Sequence, residues 1–335
     1  MDLLYLSIGI GIVIAVLTLT DFIWTTLWVD GGAGPLTRKL TSVYWTLHKK
    51  VSQNNSAFLS LAGPMFLIIT LATWIFLLWV GWTFIFASSN MIVDTKDGGP
   101  MSWIEYAYYA GYLIFTLGNG EFSPDDGIWQ IVTIFATGTG MLFITFGVTY
   151  LLQVLSAVSQ KRSLASSISG IAIDPASFVN TAWNGENFDN LNLLLDTFSN
   201  ELSHAVSKYN AYPVLHYYRS STHNRSLPVN IVVLDESLTF LKYGTPKEIQ
   251  PNALLMQELS STITSYLDTL HSSSIDASIV VPPHQVLANL DRSIPTIDAA
   301  TYEQTMESLE RRRRKLLGLL EMTGERWPGT QNDSK

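Results

Sequence analysis

No cysteine occurs in the 335 residues, so disulfides and thiolate-held metals are excluded. Charge is scarce too: Asp, Glu, Lys and Arg make up 14% of the chain against 47% hydrophobic residues, and the mean hydropathy is +0.21. Soluble globular domains carry about 25% charged residues, so a membrane protein is expected. None of the apolar runs carries arginine at every third position, which argues against an intrinsic voltage sensor. Gly-x-Gly-x-x-Gly never follows a strand-like run, so a nucleotide-binding regulatory domain is not indicated. The six histidines, His204, His216 and His223 among them, lack metal-ligand spacing and read as structural, with pH sensing as the other role open to them.

Three long apolar runs are present. Residues 3–29 carry a single charged residue, Asp21, and residues 57–93 and 127–160 carry no charge at all. Each can cross about 30 Å of hydrocarbon as a helix. The first lacks a basic leader region and a small-residue cleavage site and is too long for a signal peptide, so it is expected to be retained. Arg38, Lys39, Lys49 and Lys50 follow the first run, and Lys161 and Arg162 follow the third. Basic loops stay on the cytoplasmic side. The segment between the second and third runs holds Asp94, Asp97, Glu105, Glu121, Asp125 and Asp126 against Lys96. That places the N-terminus outside and the C-terminus inside, in the cell membrane.

Between the second and third runs, Trp103 to Phe115 is aromatic and helix-compatible. About 13 residues at 1.5 Å each cover roughly 20 Å, too short to cross. Such a helix must enter and return on one side, and the non-helical TLGNGEFSP that follows, residues 116–124, is tolerated at membrane depth only inside protein or along an aqueous path. Gly118 and Gly120 suit a backbone that alternates between ordinary and positive φ, which aims successive carbonyls at one axis. The carbonyls of Thr116, Leu117, Gly118 and Asn119, with the Thr116 hydroxyl, would then form oxygen rings able to replace the hydration shell of a cation.

This stretch resembles the pore loop of potassium channels, whose signature is Thr-Val-Gly-Tyr-Gly-Asp followed shortly by Pro. The likeness covers roughly residues 57–159. It implies an all-α membrane protein of three transmembrane helices plus a re-entrant pore helix and filter, closed as a homotetramer, with K⁺ held by Thr116, Leu117, Gly118, Asn119 and Gly120. Tyr108 and Tyr109 stand where the family often has a Trp pair behind the filter, Tyr112 and Glu121 would support it, and Gly140 matches the inner-helix gating hinge. Departures are Asn119 for the family Tyr, Glu121 for Asp, and Tyr112 and Leu113 where an acid or hydroxyl is usual. A weakly selective related group has Gly-Asp-Gly here, so a non-selective Na⁺/K⁺ channel stays open, as does a non-conducting pore-like scaffold. A plain turn between two spanning helices would leave the re-entrant helix unexplained.

The organisation expected is an additional helix in 1–30, a cytoplasmic amphipathic interfacial helix in 31–56, the pore module in 57–160 and a mainly helical cytoplasmic domain in 161–335. In the second part Leu36, Leu40, Val43, Tyr44, Leu47 and Val51 recur on one helical face against membrane lipid. It resembles the interfacial helix that couples inner domains to the gate in some potassium channels; a basic surface loop is equally compatible. Asp21 is expected to be satisfied by a neighbouring Ser, Thr or backbone group, or else to serve an ion pathway. Residues 163–170 read as a linker, 187–209, 252–270 and 299–322 as helices, and 229–241 as strand or helix. Arg311 to Lys315 reads as a solvated run in which Glu307 and Glu310 pair with Arg311 and Arg314, four residues on, rather than as a site for anionic lipid or nucleic acid. Neither enzymatic activity nor a cofactor beyond pore K⁺ is expected, and the sequence names no regulatory ligand.

Overall fold

The computed structural model describes residues 2–28, 32–52, 60–89, 91–95, 99, 101–118, 120–220, 222–271, 277–283 and 289–329. Asn119, Lys96 and Asp97, and the side chains of Lys49, Lys50 and Val51, lie outside the described residues. The chain divides into two units. The first takes its described residues from Met1–Asn55, Leu61–Leu155 and Ala211–Tyr217; the second takes the remainder.

The first unit contains α1 (Asp2–Leu27), α2 (Pro35–Ser52), α3 (Ala62–Ala87), a strand β1 (Ile92–Asp94), α4 (Trp103–Ile114), β2 (Phe122–Pro124) and the start of α5 (Gly127–Ser169). Within α1, α3 and α5, the segments Leu4–Leu27, Ala62–Ala87 and Gly127–Ser169 are long and apolar enough to cross a membrane. At 43 residues, α5 is about twice the length a bilayer needs. Only its first part, to Leu155, belongs to this unit. It runs on as helix through the segment expected to be a linker, because Leu164, Ala165 and Ile168 give it a buried face there.

Small residues let α1 lie close against α3. A Cβ on Gly11 would come 2.7 Å from the Gly81 carbonyl oxygen, and one on Gly81 would come 3.1 Å from the Ala15 nitrogen. Close backbone approach of this kind is how helices associate in lipid, where burial of apolar surface gives no net gain. The core behind this pair is aromatic. Phe22 stacks on Phe143 at 4.1 Å and meets Trp74 edge-on at 5.0 Å. Trp82 donates to Thr139 Oγ1 at 3.0 Å.

Asp21 is fully buried in α1. Its carboxylate accepts from the backbone N–H groups of Leu36 at 2.8 Å and Thr37 at 3.2 Å, from the Thr37 hydroxyl, and from Trp74 Nε1 at 2.9 Å. It therefore caps the first turn of α2 from another helix and ties α1, α2 and α3 together. Asp21→Ala leaves those buried donors without an acceptor. We expect it to lower the stability of the purified protein by about 2 kcal/mol, read as a lower unfolding midpoint in mild detergent. A midpoint equal to that of the native protein would show that the tie is dispensable.

One stretch of the first unit comes from far along the chain. Residues 211–217, expected to lie within the cytoplasmic domain, contribute Tyr212 against Tyr150 at 5.8 Å and Tyr217 against Phe66 at 5.6 Å.

The second unit is helical: α6 (Pro175–Ala182), α7 (Asn192–Ala211), α8 (Leu227–Gly244), α9 (Ala253–His271), α10 (Ala299–Ser308) and α11 (Glu310–Thr323), with short 3-10 turns between. The ambiguous 229–241 stretch is thus helix. Nearly all of α8 is buried, and α6, α9, α10 and α11 pack around it, so it is buried on every side and shows no amphipathic period. The single helix expected over 299–322 breaks at Leu309. The basic run is not simply solvated. Arg314 pairs with Glu310, but Arg312 and Arg313 reach 77 residues back to Asp235 and Glu236 on α8. Four residues before Arg312 and Arg313 stand Ser308 and Leu309, so neither has an i,i+4 acid, and both serve the buried carboxylates of α8.

Candidate functional site

Ser102 and Glu105 start α4 with a reciprocal capping box, which fixes where this short helix begins. Its 12 residues place tyrosines at positions 106, 109 and 112, spaced three apart and therefore on neighbouring faces. Tyr106 donates to the Ser89 carbonyl at the end of α3, and Tyr112 to the Phe122 carbonyl in β2, each at 2.7 Å. The Tyr109 and Thr133 hydroxyls are hydrogen-bonded at 2.7 Å, which links α4 to α5. Tyr109 also meets Phe86 and Tyr112 edge-on, at 4.8 and 5.1 Å. Of the two tyrosines singled out by the resemblance, Tyr109 is buried in the core, whereas Tyr108 is 40% exposed beside Tyr112 and Phe122.

The C-terminal end of α4 closes tightly. The N–H groups of Phe115, Thr116 and Leu117 donate to Gly111, Leu113 and Tyr112 carbonyls at 2.9, 3.1 and 2.8 Å. Beyond it the backbone takes φ of +55° at Thr116, +64° at Gly118 and +70° at Gly120. Alternate residues thus adopt the left-handed region, two of them glycines that do so without steric cost. Thr116 is the exception among the described residues: a β-branched residue at positive φ holds strain of roughly 1–3 kcal/mol, a mark of functional backbone. Leu117 is 63% exposed in the single chain. The Gly120 carbonyl, which follows the four expected to face the ion, accepts from Thr95 Oγ1 at 3.3 Å.

Thr95 escaped the sequence reading, as did the ribbon it extends. β1 and β2 pair antiparallel with Ile92 opposite Pro124 and Asp94 opposite Phe122. Three-residue strands carry too little alternation to register as a pattern. Tyr106 and Thr133 were missed as well, although the 106, 109, 112 spacing was there to be read.

Gly140 sits on α5 directly beneath the end of α4. A Cβ there would lie 2.7 Å from Ile114 Cα and 2.9 Å from its carbonyl carbon, and closer still to the carbonyl oxygen. The expected hinge is therefore a point of close contact, in a helix that continues unbroken through it.

Residues 65–157 match the family model described as an ion channel. That window runs from early α3 through α4 and the 116–124 turn to α5. Across the whole chain, a membrane protein of Bacillus subtilis (strain 168), YdjJ, is 42% identical over 320 residues, covering 95% of this chain and 94% of that protein. The chain belongs to this membrane-protein family, and its residues 65–157 form an ion-channel module. The first helix, α2 and nearly all of the second unit lie outside the ion-channel window, whereas the match to the relative spans 95% of the chain. No solved structure matches the chain.

Proposed function

We propose that the ion-channel module conducts K⁺ passively as a homotetramer, with residues 116–119 of four chains lining one axis. The observation that carries this reading is the positive φ at Thr116, Gly118 and Gly120 immediately after a 12-residue helix too short to cross. Such alternation aims consecutive carbonyls one way, and four copies would build stacked oxygen rings. The acidic groups Asp94, Glu105, Glu121, Asp125 and Asp126 flank this turn and would concentrate cations at the outer mouth. The N-terminus would then lie outside the cell membrane and the second unit inside, as an assembly or gating domain.

A second reading, conduction of Na⁺ and K⁺ alike, is favoured by Asn119, which is shorter than the tyrosine at that place in potassium channels. One set of measurements separates the readings. The purified protein should have about four times the chain mass in mild detergent. Reconstituted in liposomes with K⁺ on one side and Na⁺ on the other, it should reverse near the K⁺ equilibrium potential. Reversal near zero supports the non-selective channel, and the absence of any flux down a K⁺ gradient would support a scaffold.

A further inference from the structure

The outer end of the candidate filter is held by a side chain that the pore-loop signature does not include. The ladder between β1 and β2 is prolonged at one end by the Asp125 N–H, which donates to the Met91 carbonyl at 2.7 Å, and at the other by Thr95. The Thr95 N–H donates to the Glu121 carbonyl at 2.9 Å. Its hydroxyl donates toward the same oxygen at 2.8 Å and toward the Gly120 carbonyl at 3.3 Å. The next carbonyl, that of Phe122, accepts from Tyr112 on the buried face of α4. Three consecutive carbonyls, 120 to 122, are thus secured from two sides, beginning at the last positive-φ residue of this turn.

We propose that Thr95 is a positioning residue for the outer turn of the filter, standing in for packing that Asn119 is too short to supply. Oxygen rings discriminate between cations only while their number and spacing persist. Residue 120 is the exit of that turn, and any rotation of its peptide is passed to residue 119. A hydroxyl hydrogen-bonded to carbonyls 120 and 121 resists that rotation. The selectivity part of this inference rests on the K⁺-channel reading, whereas the positioning part does not.

The test uses the full-length protein with Thr95→Val, which keeps the shape and removes the hydroxyl, and Thr95→Ser, which restores it. Amide hydrogen exchange over residues 115–124 should quicken by about tenfold in the Val variant, the effect of losing one hydrogen bond of this kind. In the Ser variant it should stay within about twofold of the native rate. In liposomes the K⁺/Na⁺ permeability ratio should fall in the Val variant and be restored in Ser. Thr95→Ala replaces Val if that variant does not assemble. Exchange equal to native without the hydroxyl, or a Ser variant as impaired as Val, overturns the proposal. Native protein that passes Na⁺ and K⁺ equally defeats the K⁺ reading alone, and the exchange contrast still decides Thr95.

Discussion

Gly140→Ala is expected to cut ion flux severely, whereas Gly138→Ala, two residues away on the same helix, is expected to preserve it. The contrast follows from what a methyl group would meet. At Gly138 there is open space, while at Gly140 the Cβ falls on the Ile114 backbone, with Cα at 2.7 Å. Backbone atoms cannot rotate aside as a side chain can, so α5 or the end of α4 must shift, at a cost of about 1–3 kcal/mol. Ile114 precedes Thr116 by two residues, and the shift is carried into the strained turn. Liposome flux at matched reconstitution should fall by roughly tenfold or more in Gly140→Ala as the carbonyl spacing is lost. Any residual current should also be less selective. A flexible joint would instead change how often the channel opens and leave the permeability ratio intact. Equal flux through the two variants would remove Gly140 from the account.

Arg313→Ala is expected to destabilise the second unit by about 3–5 kcal/mol, because it strands a buried carboxylate. Arg313 and Glu236 side chains are each 2% exposed, with Nε to Oε1 at 2.7 Å and Nη2 to Oε2 at 2.8 Å. The guanidinium also donates to the Pro282 and Pro283 carbonyls at 3.1 and 2.9 Å and lies 5.4 Å from the Trp327 ring. One side chain therefore fastens α11 to α8, the 282–283 segment and the C-terminal turn. Burial holds the Glu236 carboxyl above its ordinary range, although the Arg313 hydrogen bonds and charge pull it down. The desolvation of the pair thus offsets much of its attraction. Removing both charges with Glu236→Leu and Arg313→Met should consequently recover most of what Arg313→Ala loses. Thermal unfolding of the full chain provides the comparison. A double variant as unstable as the single would show that the pair contributes net stability.

Most of the pore module could be read from the chain because the properties that mark it are local. The length and purity of an apolar run decide whether it can span, and 57–93 and 127–160 hold α3 and the membrane part of α5. Glycine adopts positive φ without steric cost, and Gly118 and Gly120 are so placed. Asp21, too, had to find hydrogen-bond partners, since an unpaired carboxylate inside a span is too costly. Which partners it found was a matter of tertiary structure: the start of α2 and Trp74, 53 residues on. The same holds for Arg312 and Arg313, whose acidic partners lie 77 residues back and leave no mark in the local spacing. For α8, burial on every side erased the period that would have distinguished helix from strand. In the α5 extension, Leu164, Ala165 and Ile168 needed neighbours before a serine-rich stretch became helix. Thr95 carries no local signal, and the resemblance marks Gly140 as a hinge without showing its contact with Ile114. Their roles exist because β1 meets β2 and α5 meets the end of α4, and contacts between segments distant in sequence are fixed only when the chain is folded.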